Sequence, residues 1–109
     1  MVRGKKLMMV AAAIAVHVVA VSGWDAHSVS QKGKKFSVAA LTVKPGEKVT
    51  FTNDDDFIHN VFSTSKGLEF NLSAQKPGMT AEQAFAGEGV AEVRCAFHPT
   101  MKLTITVKK

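Results

Sequence analysis

The sequence predicts an all-β fold, a β-sandwich or barrel of about seven strands. Short apolar or alternating segments recur at spacings of roughly 8–12 residues, and Gly, Pro and polar residues separate them. Beyond residue 23, no stretch has a convincing helical pattern. A length of 109 residues leaves room for one domain and little more. We therefore expect one small sandwich without internal repeats.

The first half of the predicted domain contains three strands. The apolar run 36–43 is the first, and the run 48–52 alternates polar and apolar residues as a half-buried strand does. Between them, residues 44–47 (Lys-Pro-Gly-Glu) predict a type II turn, because Pro presets φ at one central position and Gly accepts a positive φ at the next. A polar loop over 53–57 then leads into the third strand, 58–63.

The second half begins with a predicted loop. Residues 64–78 are rich in Ser, Lys, Gly and Asn, which favours a long loop with room for one helical turn. The segment 81–86 is ambiguous, and in this context we interpret it as a strand. A Gly-Glu-Gly turn at 87–89 precedes the strand 90–95, and the segment 102–107 is the last strand.

The N-terminal segment has the three parts of a secretory signal peptide. Arg3, Lys5 and Lys6 form a basic start without an acid, an apolar run of 15 residues covers 7–21, and small residues follow it. This run is short for a bilayer span, which needs about 20 residues. The pattern therefore favours a cleaved leader over the alternative, an uncleaved N-terminal anchor.

The leader divides the chain into a signal peptide at 1–23 and a mature domain at 24–109. Cleavage after Gly23 is favoured over cleavage after Ala26, which would put the bulky Trp24 where a small residue is required. We expect export to the periplasm by the general secretory route. The mature domain would then not be inserted stably in the membrane.

Composition and charge exclude several classes of protein. The whole chain has a net charge of +5, but removing the leader leaves eleven Lys and Arg against nine Asp and Glu, a net charge of +2. Without a known motif or interleaved aromatic residues, this balance excludes a nucleic-acid partner. The apolar content excludes a disordered chain, and Cys95 as the sole cysteine excludes an internal disulfide.

Soft metal ligands cluster in the connection between the last two predicted strands. The sequence Cys-Ala-Phe-His-Pro-Thr-Met places a thiolate at Cys95, an imidazole at His98 and a thioether at Met101, and a second imidazole, His59, lies on an earlier strand. Two His, one Cys and one Met are the ligand set of a blue copper centre, in which the Met is a long axial ligand. This combination predicts a copper site.

Each of these residue types taken alone is more often a simple core residue. Their conjunction argues otherwise, because the mature region holds only Met79 besides Cys95 and Met101 as sulfur-containing residues. A free thiol in an exported protein also needs protection from oxidation. Metal ligation supplies that protection.

The pattern His-Asn … Cys-x-x-His-x-x-Met, on short strands and after Leu-x-Val-x-x-Gly, resembles the cupredoxins, the type 1 blue copper family. The resemblance extends over most of residues 36–109, and the two-residue gap between the second His and the Met is similar to that of amicyanins. It implies a Greek-key β-sandwich or barrel of seven to eight strands that binds one type 1 copper ion. Its strong ligands would be His59, Cys95 and His98, and its axial ligand Met101.

The resemblance also implies roles for residues around the ligands. The backbone N–H of Asn60 would face the sulfur of Cys95, and Asn53 would brace the ligand loop by hydrogen bonds. An apolar rim around His98 would let a redox partner approach. The rim candidates are Phe57, Phe97, Pro99 and Met79.

These expectations describe a monomeric one-electron carrier between redox partner proteins that dock near His98, and not an enzyme. Two alternatives remain. One is a periplasmic copper-binding carrier or storage protein without a redox-shuttle role. The other is a hydrolase with Cys95 as nucleophile and His98 as base, which would need a third residue to orient the imidazole.

Two charged segments lie outside the ligand set. The aspartates 54–56 are interpreted as a solvated loop, because a Ca²⁺ site needs spaced ligands and a Gly turn. Lys32, Lys34 and Lys35 are interpreted as a solvated face that would steer an acidic partner.

Overall fold

The computed structural model describes residues 27–109, which form eight strands in two sheets. No helix in this part of the chain is long and apolar enough to cross a membrane. The predicted signal peptide at 1–23 lies outside the described residues. The strands are β1 His27–Gln31, β2 Ala40–Val43, β3 Lys48–Asn53, β4 His59–Ser63, β5 Phe70–Gln75, β6 Thr80–Ala84, β7 Gly89–Arg94 and β8 Lys102–Val107.

The two sheets pack as a Greek-key sandwich, which confirms the predicted fold class. The small sheet has the order β1-β3-β6 and the large sheet the order β2-β8-β7-β4-β5. β1 runs parallel to β3 and β2 parallel to β8, while the other pairs are antiparallel. After β5 the chain passes through β6 in the small sheet, and β7 then returns beside β4, as the fourth strand of a Greek key does.

Alternating burial along the strands forms the core between the sheets. In β3 and β8, every second residue is buried and the residues between them are polar and more exposed. The apolar residues of the core are Val29, Phe36, Val43, Val49, Phe51, Val61, Leu68, Phe85, Ala91, Val93, Cys95, Met101, Leu103, Ile105 and Val107. The core therefore reaches the end of the sandwich at Cys95 and Met101.

The predicted strands differ from the observed ones in three places. Residues 64–78 do not form one long loop, since β5 occupies 70–75. β5 is an edge strand with mostly exposed or half-buried positions, so it needs few apolar residues and its composition resembles a loop. At the other end, the strand predicted over 36–43 begins only at Ala40, and residues 27–31 form β1 although their composition is mainly polar.

The segment between β1 and β2 contains a tight hairpin turn. Lys32 and Lys35 exchange both backbone hydrogen bonds, with N···O distances of 3.0 and 3.2 Å. Gly33 and Lys34 have φ values of 65° and 59°, which is the type I′ geometry of two-residue hairpins. Gly adopts this conformation freely, but Lys34 does so at a steric cost, so neighbouring contacts must support the turn.

The predicted type II turn between β2 and β3 is confirmed. Gly46 has a φ of 92°, and the Glu47 amide donates to the Lys44 carbonyl over 3.0 Å. Both the positive φ at the third position and the hydrogen bond are features of this turn.

Candidate metal centre

Cys95 reaches the interior because it continues the alternation of β7. Ala91 and Val93 point into the core, and Cys95, two residues further on, points the same way and is 2% exposed. Its sulfur therefore lies at the end of the sandwich interior, directly after the last residue of the strand.

The chain then turns back towards β8 through His98. The Met101 amide donates to the His98 carbonyl over 2.9 Å, and Pro99 occupies the second position of this turn, where its fixed φ is favourable. His98 is partly buried and Met101 is 1% exposed. The Pro-containing turn thus holds an imidazole near the surface and a methionine in the core.

His59 comes from β4, the strand beside β7. Its side chain is completely buried at the start of the strand. The register of the β4–β5 pair shifts between Asn60 and Phe62, and Ser73 on β5 has a φ of 62°. Such a bulge re-aims side chains near functional sites, and here His59 and Asn60 are both buried although they are consecutive on a strand.

These elements bring three donor atoms together. The Cys95 sulfur lies 3.7 Å from Nδ1 of His59 and 3.7 Å from Nδ1 of His98, and all three atoms lie within 4.8 Å of one another. Metal bonds of about 2.0 Å to imidazole and about 2.3 Å to thiolate, set about 120° apart, would separate N and S by about 3.7 Å. The donor set therefore fits one ion in a trigonal arrangement, and Met101 lies in the same buried core cluster as Cys95.

Asn60 adopts the position that the resemblance implied. Its backbone amide donates to the Cys95 sulfur over 3.4 Å. Its side-chain oxygen accepts from the Ala96 amide at 3.2 Å, while its side-chain nitrogen donates to the Ser73 carbonyl and to Asn71 Oδ1 at 2.9 Å each. One residue thus ties the loop after Cys95 to β4 and β5.

Asn53 braces the loop before His59, also as expected. Its side-chain nitrogen donates to the carbonyls of Phe57 and Gln75 at 2.8 and 2.9 Å. Its side-chain oxygen accepts from the Asp55 amide at 2.9 Å. The residue is completely buried, so these bonds fix the path of the 53–57 loop.

The interpretation of residues 54–56 as a solvated loop is wrong for Asp55. Its side chain is only 8% exposed, and one carboxylate oxygen lies 2.6 Å from Nε2 of His59. The amides of Gly33 and Lys34 also donate to the carboxylate, at 2.6 and 3.1 Å. The other two aspartates, Asp54 and Asp56, do remain exposed. Sequence reasoning missed this contact, although the four-residue offset from Asp55 to His59 is visible in the chain.

The environment of Asp55 fixes the proton of His59. Burial raises the pKa of the Asp55 carboxyl, but the hydrogen bonds from His59, Gly33 and Lys34 outweigh burial and lower the pKa to about 2. An ionised carboxylate only accepts hydrogen bonds, so Nε2 of His59 must carry the proton. Nδ1, which faces the Cys95 sulfur, is then the ring nitrogen left to bind a metal.

His98 lies against a partly exposed aromatic surface. The ring centroid of Phe57 is 5.4 Å from that of His98 and 5.3 Å from that of His59. Burial, followed by the electrostatic effects of the neighbouring His59 and Lys34 side chains, lowers the pKa of His98, which favours the neutral imidazole that a metal requires.

The expected apolar rim is present in part. Phe57 and Phe97 are 38% and 52% exposed, so neither is a core residue. Phe97 and Pro99 flank His98 in the chain, and both are exposed. Met79 is 44% exposed, and its sulfur accepts a hydrogen bond from the Lys76 amide at 3.2 Å.

The site does not suit the alternative of a cysteine hydrolase. Asp55, His59 and Cys95 do lie in the order of an acid, base and nucleophile, and this base would be His59 and not the expected His98. However, the sulfur is 2% exposed, and a second imidazole lies at the same distance from it. A substrate could not reach this thiol without opening the end of the sandwich.

Comparisons with known proteins agree with this geometry. The family model described as "Copper binding proteins, plastocyanin/azurin family" matches residues 25–108. No curated protein matches the chain in sequence. Several solved structures do share its fold.

Three of these structures illustrate the kinds of copper protein that share the fold. An amicyanin variant in its reduced state is 29% identical, with a TM-score of 0.69 over 76% of this chain and 82% of that chain. A purple cupredoxin from Nitrosopumilus maritimus is 28% identical, with a TM-score of 0.68 over 76% of this chain and 100% of that one. A copper-containing nitrite reductase from Thermus scotoductus is 23% identical, with a TM-score of 0.71 over 76% of this chain but only 22% of its own, and this likeness concerns the fold alone.

Proposed function

The chain belongs to the plastocyanin/azurin family of copper-binding proteins, and on this premise we propose that it is an exported blue copper protein that carries single electrons between redox partners. Its cofactor is one type 1 copper ion. The ion supplies one-electron chemistry when it is bound. The residues that would hold the ion are His59, Cys95 and His98, with Met101 as the fourth and weaker ligand.

One observation carries the proposal: the donor atoms of His59, Cys95 and His98 converge at separations that one ion would require. Hydrogen bonds hold each side of the site in place, from Asn60 to the sulfur and from His59 to Asp55. A site held in this way changes little between two oxidation states. Small rearrangement is what a fast one-electron carrier requires.

His98 is the proposed route for the electron. Its imidazole is one of the proposed ligands and is only partly buried, whereas His59 and Cys95 are enclosed. Exposed Phe57 lies beside it, and Phe97 is the preceding residue. A redox partner that docks on this apolar surface would bring its own centre close to the imidazole edge, and the carrier would act as a monomer.

Export is a separate part of the proposal. The leader at 1–23 and the mature domain at 24–109 are inferred from the basic start and apolar run of the sequence. The family match begins at residue 25, after this leader. The proposed location is the periplasm, reached by the general secretory route.

The test is the absorption spectrum of the purified mature domain after addition of one equivalent of Cu(II). We expect an intense blue thiolate-to-copper band in the wild type and no such band in Cys95→Ser. His27→Gln is the matched control, because His27 lies in β1 against Glu47 and outside the ligand cluster. This variant should keep the full band.

A wild-type protein without the blue band would overturn the proposal. A wild-type protein that has the band but exchanges no electrons with a small redox protein would favour the alternative of a copper carrier or storage protein. Stopped-flow bleaching of the band by a reduced cytochrome c measures this exchange directly.

A further inference from the structure

We propose that the Asp55 carboxylate is a positioning residue that fixes His59 and makes the copper centre harder to reduce. This inference rests on the ligand assignment proposed above. From the sequence alone, Asp55 is interpreted as part of a solvated loop, and its contact with the imidazole appears only in the folded chain.

The first step is the contact itself. Oδ2 of Asp55 lies 2.6 Å from Nε2 of His59, the ring nitrogen opposite the one that faces the Cys95 sulfur. The two side chains are 8% and 0% exposed, so water and salt screen the carboxylate only weakly. A carboxylate that accepts the outer N–H of a ligating His orients the ring and increases its basicity.

The second step is that the carboxylate has little freedom to turn away. Oδ1 accepts from the Gly33 amide and Oδ2 from the Lys34 amide, and the Asp55 amide donates to Asn53. The two amides belong to the type I′ turn in which Lys34 holds a positive φ. The carboxylate thus stabilises the unfavourable backbone turn, and the amides of that turn hold the carboxylate against His59.

The third step is the sign of the effect. The oxidised centre carries one positive charge more than the reduced centre, so a fixed negative charge nearby stabilises Cu(II) more than Cu(I). The same hydrogen bond makes His59 a stronger electron donor to the metal, which favours the same state. Asp55 therefore lowers the reduction potential for Cu(II) + e⁻ → Cu(I), with the electron supplied by an electrode.

The experiment compares Asp55→Asn with Asp56→Asn by protein-film voltammetry. Both variants lose one negative charge in the same loop, but Asp56 is exposed. We expect Asp55→Asn to shift the balance towards Cu(I) about tenfold, which corresponds to a potential about 59 mV more positive. The potential of Asp56→Asn should stay close to that of the wild type.

Two further measurements separate positioning from a general effect on the fold. The Cu(II) affinity of Asp55→Asn should fall about 10- to 100-fold, and Asp55→Glu, which keeps the charge, should restore part of the wild-type potential. If Asp55→Asn does not fold, proton NMR of the wild-type Cu(I) protein still tests the inference. The Nε2–H of His59 should then be visible, far downfield and slow to exchange with water.

The inference about Asp55 would be overturned if Asp55→Asn had the same reduction potential as the wild type. It would also be overturned if Asp55→Asn and Asp56→Asn changed the reduction potential equally. A fast-exchanging Nε2–H would do the same. All of these outcomes presuppose a wild-type blue band, whereas the absence of that band overturns the proposed function. The two failures are therefore distinguishable.

Discussion

Asn60 shows how much one residue contributes to this site. Its amide nitrogen faces the Cys95 sulfur, and its side chain both accepts from Ala96 and donates to Ser73. An amide side chain is suited to this position because it has a donor group and an acceptor group at a fixed separation. Replacing it with an apolar residue would leave buried backbone groups without partners, which is costly.

Met101 fills the core, and in the proposed site it also offers a thioether to the copper ion; substitution can separate these two roles. Met101→Ala removes a side chain that is 1% exposed, so we expect the free energy of unfolding to fall by about 2–5 kcal/mol. Met101→Leu conserves volume and should cost less than about 1.5 kcal/mol. Urea denaturation of the apoprotein measures both values.

The same Met101→Leu variant tests the proposed axial ligand. It should fold as the wild type does, yet its Cu(II) spectrum and reduction potential should change, because the axial ligand tunes both. Met79→Leu is the control, since Met79 is 44% exposed. If Met101→Leu leaves the spectrum and potential unchanged, Met101 is only a core residue.

At the scale of the secondary-structure elements, one carboxylate oxygen stabilises the turn between β2 and β3. Oε1 of Glu47 accepts from the Lys44 amide at 2.7 Å and from Nε2 of His27 at 2.9 Å. The backbone hydrogen bond from Lys44, followed by the bond from His27, lowers the pKa of Glu47 below its ordinary value near 4.5. The turn is thereby attached to β1 of the small sheet.

This arrangement predicts a pH-dependent contribution to stability. Because the pKa is lower in the folded state, ionised Glu47 stabilises the protein above pH of about 4.5, and the benefit disappears as the pH falls through the lowered pKa. Thermal unfolding should show Glu47→Gln less stable than wild type at pH 7. The difference in Tm should shrink steadily as the pH is lowered from 4.5 through the lowered pKa.

Glu69→Gln is the control for this prediction, because Glu69 is exposed on the loop before β5. Its Tm difference from wild type should be small across the same pH range. A Glu47→Gln difference that stays constant from pH 7 to pH 3 would show that ionisation of Glu47 does not stabilise the fold.

At the scale of the whole molecule, the proposed ligands and the exposed aromatic residues lie at one end of the sandwich. Lys34 also lies there, with its ammonium 5.6 Å from the centre of the Phe57 ring. Lys108 lies at the other end, because the six residues of β8 carry the chain about 20 Å away from Met101. The molecule therefore has a cation beside the proposed docking surface and another far from it.

Charge steering should distinguish these two lysines. Lys34→Glu and Lys108→Glu change the net charge equally, so only position differs. With hexacyanoferrate(III), an anionic oxidant, the second-order rate constant for oxidation of the Cu(I) protein should fall several-fold in Lys34→Glu at low salt. The rate constant should change little in Lys108→Glu. Stopped-flow kinetics measure both values, and the difference between the two variants should become smaller as the ionic strength rises.

Equal rate constants for the two variants would place the site of electron exchange away from Lys34 and His98. The cationic oxidant tris(phenanthroline)cobalt(III) provides a second check. Its reaction with Lys34→Glu should become faster, because the repulsion is replaced by attraction.

Local sequence patterns determined the class of fold and the set of candidate ligands. Alternation in 48–52 and 102–107 predicts strands because a strand presents successive side chains to opposite faces. The loop from Cys95 to Met101 holds three candidate ligands within seven residues, so their proximity needs no knowledge of the fold. The edge strand at 70–75 escaped prediction because few of its residues face the core.

Only the tertiary structure decided which distant groups surround those ligands. The meeting of His59 with Cys95 depends on the pairing of β4 beside β7, and the contact of Asp55 with Gly33 and Lys34 depends on packing between loops. Sequence periodicity describes which face of a strand is buried. It does not describe which oxygen meets which nitrogen, because that depends on loop paths fixed by hydrogen bonds between segments far apart in the chain.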